Sequence, residues 1–207
     1  MKPRVLKSIM MGLAVLVVSV GSARAASYQA TANDQDKAAS SSTAAEAQAK
    51  SSSTAANPSD VKTVDGIMAA VYDVISGPSG PRNWDRFHSL FLPQATLATV
   101  EAKPGAAPEL MVVGPDGYIK LAQPYFDKEG FFENEIGRRS EAYGAVTHVW
   151  STYASRHTKD GNPFERGINS FQLVNDGERW WVLSILWDSE RKGNVIPGKY
   201  LKTVREK

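Results

Sequence analysis

Apolar and polar residues alternate along two stretches near the C-terminal end, Ala145 to His157 (AVTHVWSTYASRH) and Phe164 to Glu190 (FERGINSFQLVNDGERWWVLSILWDSE). β-Branched and aromatic residues crowd both, and turn-forming runs at Lys159-Asp160-Gly161-Asn162-Pro163 and Asn175-Asp176-Gly177 break them up, so the pattern predicts three long antiparallel strands. Large side chains fall on both faces, so the sheet needs cover on both sides. Upstream the period becomes helical. Val61, Val64, Ile67, Met68, Val71, Val74 and Ile75 predict one helix, with Ser59 or Asp60 as cap and Gly77-Pro78 as terminator. A second helix starts near Asn83, carries Trp84, Phe87, Leu90 and Phe91, and stops at Pro93. Short strands are expected over Leu97 to Glu101 and Leu110 to Val113. A third helix opens at Pro115-Asp116 with Tyr118, Ile119, Leu121 and Ala122, and Pro124 is expected to kink or shorten it. Phe131 to Arg139, Ala145 to His157, Glu165 to Asn175 and Trp180 to Asp188 complete the strands.

This order, helices, a short hairpin, a helix and then a long meander, lacks regular βαβ alternation and marks an α+β domain. The domain runs from about residue 58 to 207, long enough for one well-buried core. Its tail, from about Arg191, has no clear period and is expected to lie over the surface as an extended strap. Residues 26–57 are mostly Ala, Ser and Thr, with SSSTAA at Ser40 to Ala45 and again at Ser51 to Ala56. Too few aromatic and branched residues occur there to offset the entropy of ordering, so a flexible linker is expected.

Residues 1–25 have the layout of a signal peptide: Lys2, Arg4 and Lys7, then an apolar run from Ile9 to Val20, then Ala23-Arg24-Ala25. The apolar run is shorter than the roughly 20 residues a membrane span takes. A periplasmic or secreted protein with no stable membrane anchor is expected after cleavage at Ala25. Cleavage would remove Lys2, Arg4, Lys7 and Arg24 and no acidic residue, taking the formal net charge from +2 to −2. No basic stripe is left to neutralise phosphates, which argues against nucleic acid. The chain has no cysteine, so disulfides, thiolate metal sites and a cysteine nucleophile are excluded.

Four runs then stand out together: Tyr118 to Arg139 (YIKLAQPYFDKEGFFENEIGRR), His148-Val149-Trp150-Ser151-Thr152-Tyr153, Arg166-Gly167-Ile168-Asn169-Ser170, and Trp180 to Glu190. Across about Val61 to Ser189 the sequence resembles the SnoaL-like branch of the nuclear transport factor 2-like superfamily. The resemblance implies a cone-shaped α+β fold, with three N-terminal helices packed in a strongly curved, mostly antiparallel sheet around a cavity. It also implies homodimerisation through the outer sheet face. Activities on this fold range from isomerisation, dehydration and cyclisation to binding without chemistry, so the fold assigns no function.

The candidate chemistry is spread over several elements. His88 lies one turn after Trp84 and is either a proton carrier or an ordinary exposed helix residue. Strict alternation puts Glu133, Glu135, Gly137 and Arg139 on one face of their strand and Phe132, Asn134, Ile136 and Arg138 on the other. If the carboxylate face lines a cavity, Glu133 or Glu135 is a candidate base or a binder of a basic ligand. If it faces water, Glu135 and Arg139 form a modest surface pair, and this is the more economical expectation. Tyr153, among the serines of its strand face, is the leading candidate for a pocket hydroxyl. Trp84, His88, Tyr118, Tyr153, Asn169 and Trp187 are the expected ligand-binding residues, with Trp187 near a cavity mouth.

Trp180, Val182, Ser184 and Leu186 are expected to oppose Trp181, Leu183, Ile185 and Trp187. Gly193 to Lys199 has P-loop spacing, but Tyr200 stands in the magnesium-binding hydroxyl position and no strand-to-helix context surrounds it. The three histidines lack metal-ligand spacing, and no serine-hydrolase elbow occurs. No metal or cofactor is therefore expected. Three functions fit: a module binding a small apolar or aromatic ligand, an acid/base enzyme acting on a carbonyl or aromatic compound, and a structural dimerisation domain.

Overall fold

The structure, a computed structural model, describes residues 55–101, 107–202 and 204–205. The expected signal peptide and residues 26–54 of the expected linker lie outside them. The elements run α1 (Pro58–Val61), α2 (Val64–Ile75), α3 (Trp84–Leu90), β1 (Phe91–Glu101), β2 (Glu109–Val113), α4 (Pro115–Phe126), β3 (Phe132–Tyr143), β4 (Val146–Arg156), β5 (Glu165–Asn175) and β6 (Trp180–Ser189). A 3-10 turn (Gly198–Tyr200) and β7 (Val204–Arg205) follow. All strands join one curved sheet in the order β2-β1-β6-β5-β4-β3-β7.

Helix positions follow from caps as much as from apolar spacing. The single helix expected from Val61 is broken, because the Thr63 hydroxyl accepts the Gly66 N–H at 2.9 Å and starts α2 afresh. Asn57 caps α1 and Asn83 caps α3 in the same way, each through its side-chain oxygen. Pro93 is not what ends α3: the helix is over at Leu90, and Pro93 lies in β1 where the pairing with β6 is irregular. A strand irregularity is where a residue without an N–H is tolerated. Nor does Pro124 cut α4 short, which continues to Phe126. Among the described residues the helices α1, α2 and α3 precede the sheet, and α4 lies between β2 and β3.

The core sits between the helices and one face of the sheet. Ile67, Met68 and Val71 of α2 and Phe87 and Leu90 of α3 are buried, as are Val149, Phe171, Leu173, Val182 and Ile185 on the strands. Each such side chain stabilises the fold by ~1.5–3 kcal/mol. Among the described residues the opposite face receives only partial cover. Across β3 and β4 the tail lies on it: Thr152 Oγ1 donates to the Tyr200 carbonyl at 2.7 Å, and the Trp150 and Tyr200 rings meet at 5.7 Å. Gly137, the partner of Thr152, is the close-approach point, since a Cβ there would collide with the Tyr200 carbonyl. The expected strap is thus fixed in part, ending in β7, which pairs in parallel with Arg139 and Ser140.

Two bulges overturn strict alternation. Glu135 pairs with Tyr153 but Gly137 with Thr152, so Ile136 is an extra residue and every side chain after it changes face. Arg138, not Arg139, therefore shares a face with Glu133 and Glu135. On β6, Ser184 pairs with Gln172 but Val182 with Leu173, which puts Val182 on the face of Ile185 and Trp187 rather than opposite them.

Candidate functional site

Across its hydrogen-bonded strands the helix-facing side of the sheet is arranged in rows. Glu133, Ser155 and Glu165 stand abreast, then Glu135, Tyr153, Gly167 and Ser189, then Arg138, Ser151, Asn169 and Trp187. The next row, Ser140, Val149, Phe171 and Ile185, is largely apolar. Polar groups thus concentrate on one half of the inward face and the packed core occupies the other. This corrects the expectation that Glu133 and Glu135 face water.

Hydrogen bonding fixes how the protons are distributed. Arg138, itself buried, binds both Glu135 oxygens at 2.7 and 3.0 Å and reaches Asp65 of α2 at 2.5 Å. The Ser151 hydroxyl donates to Glu135 Oε2 at 2.5 Å, so its 2.6 Å bond with Tyr72 must be donated by the Tyr72 hydroxyl. Asn169 Nδ2 in turn donates to the Tyr72 oxygen at 3.1 Å. In the first row Ser155 Oγ donates to Glu133 Oε2 at 2.6 Å. The Tyr153 hydroxyl gives its proton to Glu165 Oε1 at 3.0 Å and lies 3.2 Å from Ser189 Oγ.

Glu133 is held firmly by its backbone, whose N–H donates to Ser76 Oγ at 3.0 Å while that hydroxyl donates to the Tyr72 carbonyl at 2.7 Å. Its side chain combines two properties. Burial pushes the carboxyl up to about 7, with the Ser155 hydrogen bond opposing and the Glu165 charge adding to the rise. Yet the residue is only half-buried by surface area. Burial raises Glu165 as well, against the hydrogen bonds from Tyr153 and Ser189. The Tyr153 hydroxyl is driven upward first by burial, then by the charges of Glu165 and Glu133.

The other sequence candidates divide. Tyr153 and Asn169 are buried within this network, and Trp187, half-buried, stands next to Asn169. Tyr118 is buried on α4, its ring stacked on Phe87 at 5.4 Å, and the charge of Glu133 reaches its hydroxyl. Trp84 turns to the α3–α4 contact, stacking on Phe126 at 6.1 Å and donating its indole N–H to Gln123 Oε1. His88 lies apart: it is exposed, with Nε2 3.1 Å from Asp116 Oδ1. One residue beyond Phe87, it is turned about 100° from the buried stripe of α3. Glu165, Ser155, Ser151 and Tyr72 were not singled out from sequence. Parity was the available signal for the strand residues, since Glu165 and Asn169 share a face with apolar Phe171.

No protein-family model matches the chain, and no curated protein matches it. Solved structures similar to it include a protein with a cystatin-like fold from Nostoc punctiforme (8% identity, 61% of this chain and 88% of that one, TM-score 0.48). NTF2-like proteins of unknown function are also among them. One is from Silicibacter pomeroyi (13% identity, 62% and 99% covered, TM-score 0.41) and one from Shewanella baltica (17% identity, 62% and 98% covered, TM-score 0.38). At such identities and TM-scores the likeness assigns neither a branch of the superfamily nor an activity.

Proposed function

We propose that the protein is an exported small-molecule-binding domain of the SnoaL-like class whose ligand meets the inward sheet face at Glu133. The observation that carries this reading is the gathering of Glu133, Ser155, Glu165 and Tyr153 in two adjacent rows of the inward face, with Glu133 half-buried. Purely structural carboxylates in the same sheet look different: Glu135 is saturated by Arg138 and Ser151. In this reading the ligand is small and partly apolar, because half-buried Trp187 stands in the row of Arg138, Ser151 and Asn169.

A second reading, acid/base catalysis on a carbonyl or aromatic compound, is favoured by the titration range of Glu133. A carboxyl near 7 is poised both to take and to give a proton at neutral pH. Glu133 takes the role of base here, and His88 is not used. The outer face supports homodimerisation: Val112, Ala98, Leu186, Ser170 and Trp150 form one row across it, with Leu186 half exposed. The expected leader places the mature protein in the periplasm or outside the cell, with no role in nucleic-acid binding.

Native mass spectrometry of protein purified from the periplasm tests the binding reading. A co-purifying small molecule, absent from Glu133→Gln, is the expected result. A ligand retained unchanged by that variant would place the binding site elsewhere.

A further inference from the structure

Charge is spread unevenly along the chain. Residues 191–207 hold six basic residues and one acidic one, while residues 26–190 hold 14 basic and 21 acidic ones. The basic segment is the strap on the outer sheet face, and it shares no residue with the inward rows.

The strap is held by its inward side. Ile196 is buried, its N–H donating to Glu190 Oε1 at 3.1 Å, and Thr152 and Trp150 engage the carbonyl and ring of Tyr200. Other side chains of the strap stand in water: Lys192, Lys199 and Lys202 are exposed, and so are Val195 at 70% and Leu201 at 41%. The acidic residues that border the strap are already neutralised, Glu190 by Arg166 at 2.8 Å and Asp188 by Arg191. None of the three lysines forms an ion pair with a described residue, and Lys199 lies over the Tyr200 ring at 4.8 Å. From Arg191 to Lys202 the sequence has no acidic side chain.

We propose that the solvent side of the strap docks on an anionic phospholipid surface, with Lys192, Lys199 and Lys202 meeting headgroup phosphates and Val195 and Leu201 entering the boundary between headgroups and acyl chains. Charge complementarity selects the partner. Each unpaired lysine near a dense anionic surface strengthens attachment by roughly fivefold. Two aliphatic side chains held out in water beside those lysines gain from leaving it, and a lipid interface offers them an apolar phase. The same pair argues against nucleic acid, which is gripped by aromatic stacking and phosphate contacts, and three lysines neutralise few phosphates. The contact is peripheral and reversible, since this much apolar surface falls far short of a membrane span.

Salt separates the two contributions. Attraction between exposed lysines and phosphates fades as the Debye length shortens from about 10 Å at 0.1 M salt to about 3 Å at 1 M. Burial of Val195 and Leu201 is not screened in this way.

Co-sedimentation of the protein purified from the periplasm tests this, with vesicles of phosphatidylcholine alone and of phosphatidylcholine mixed equally with phosphatidylglycerol. At low salt, binding to the mixed vesicles is expected to be at least about twentyfold tighter than to the neutral ones, and to fall to the neutral level at about 1 M salt. Lys199→Gln combined with Lys202→Gln should weaken it about twentyfold, and Val195→Ser combined with Leu201→Ser about threefold, with near-UV circular dichroism confirming that the variants fold. The wild-type lipid preference needs no variant. Equal sedimentation with both vesicles, sedimentation with neither, or a double lysine variant that binds like the wild type would each overturn the proposal. Retention on a DNA duplex at the same low salt, without vesicle binding, would overturn the lipid as partner.

Discussion

The ring of Tyr153 lies directly over Gly167 of the neighbouring strand: a Cβ placed on Gly167 would stand 2.5 Å from the tyrosine hydroxyl oxygen and 2.6 Å from Cζ. The same Cβ would also stand 2.5 Å from the Asp188 carbonyl oxygen. Absence of a side chain at Gly167 is what lets the phenol reach across to Glu165. Gly167→Ala is expected to destabilise the fold by about 1–3 kcal/mol, the usual cost of overpacking, measured by denaturant unfolding. Tyr153→Phe, which keeps the ring and removes the hydroxyl, should cost less. A neutral Gly167→Ala would mean that the ring is not held where it is described.

Stability should fall as pH rises through the titration of Glu133. Its carboxyl is raised from 4.5 to about 7 in the folded protein, so between those values the unfolded chain has lost the proton and the folded one keeps it. The contribution is fully present below about 4.5 and gone above about 7. At roughly 1.4 kcal/mol per unit this amounts to a few kcal/mol at most. Glu133→Gln should flatten this part of the profile and be the more stable protein at pH 8. Thermal melts across pH 4 to 8 compare the two.

Arg138 joins α2 to the sheet through Asp65 and Glu135. Removing it in Arg138→Ala strands the Glu135 carboxylate in the interior and is expected to cost about 3–5 kcal/mol. Combining Arg138→Met with Glu135→Gln removes both charges and should recover most of the loss. Chemical denaturation of the single and double variants separates the pairing from simple packing.

Residue type and period were enough to read the strands of the meander and the apolar stripes of the helices. Caps shifted what remained. Thr63 broke one expected helix in two, and the carbonyl–amide pairing of β1 with β6 drew the chain into a strand ahead of Pro93. The site was legible only in part, for a geometric reason. Alternation placed Glu133, Tyr153 and Asn169 on definite faces, but not which face turned inward. It also failed beyond Ile136, where one extra residue exchanged Arg139 for Arg138 as the partner of Glu135. Bulges leave little trace in composition, and so the ion pair was assigned to the wrong arginine. Tyr72 was missed differently, since it stands outside the apolar positions read for its helix.

The row Val112, Ala98, Leu186, Ser170 and Trp150 on the outer face carries the dimer proposal. Leu186→Glu puts a charge at its centre on a side chain that is 50% exposed. The expected result is a shift from dimer to monomer in light scattering, with little change in monomer stability. A wild-type protein that is monomeric at high micromolar concentration would remove the proposal.

Carbon NMR of protein labelled at its glutamate carboxyls, followed from pH 3 to 9 and assigned with Glu133→Gln, observes directly the group on which the site depends. A midpoint near 7 for Glu133 is the predicted result. An ordinary midpoint near 4.5 would place Glu133 in open water and contradict an inward site.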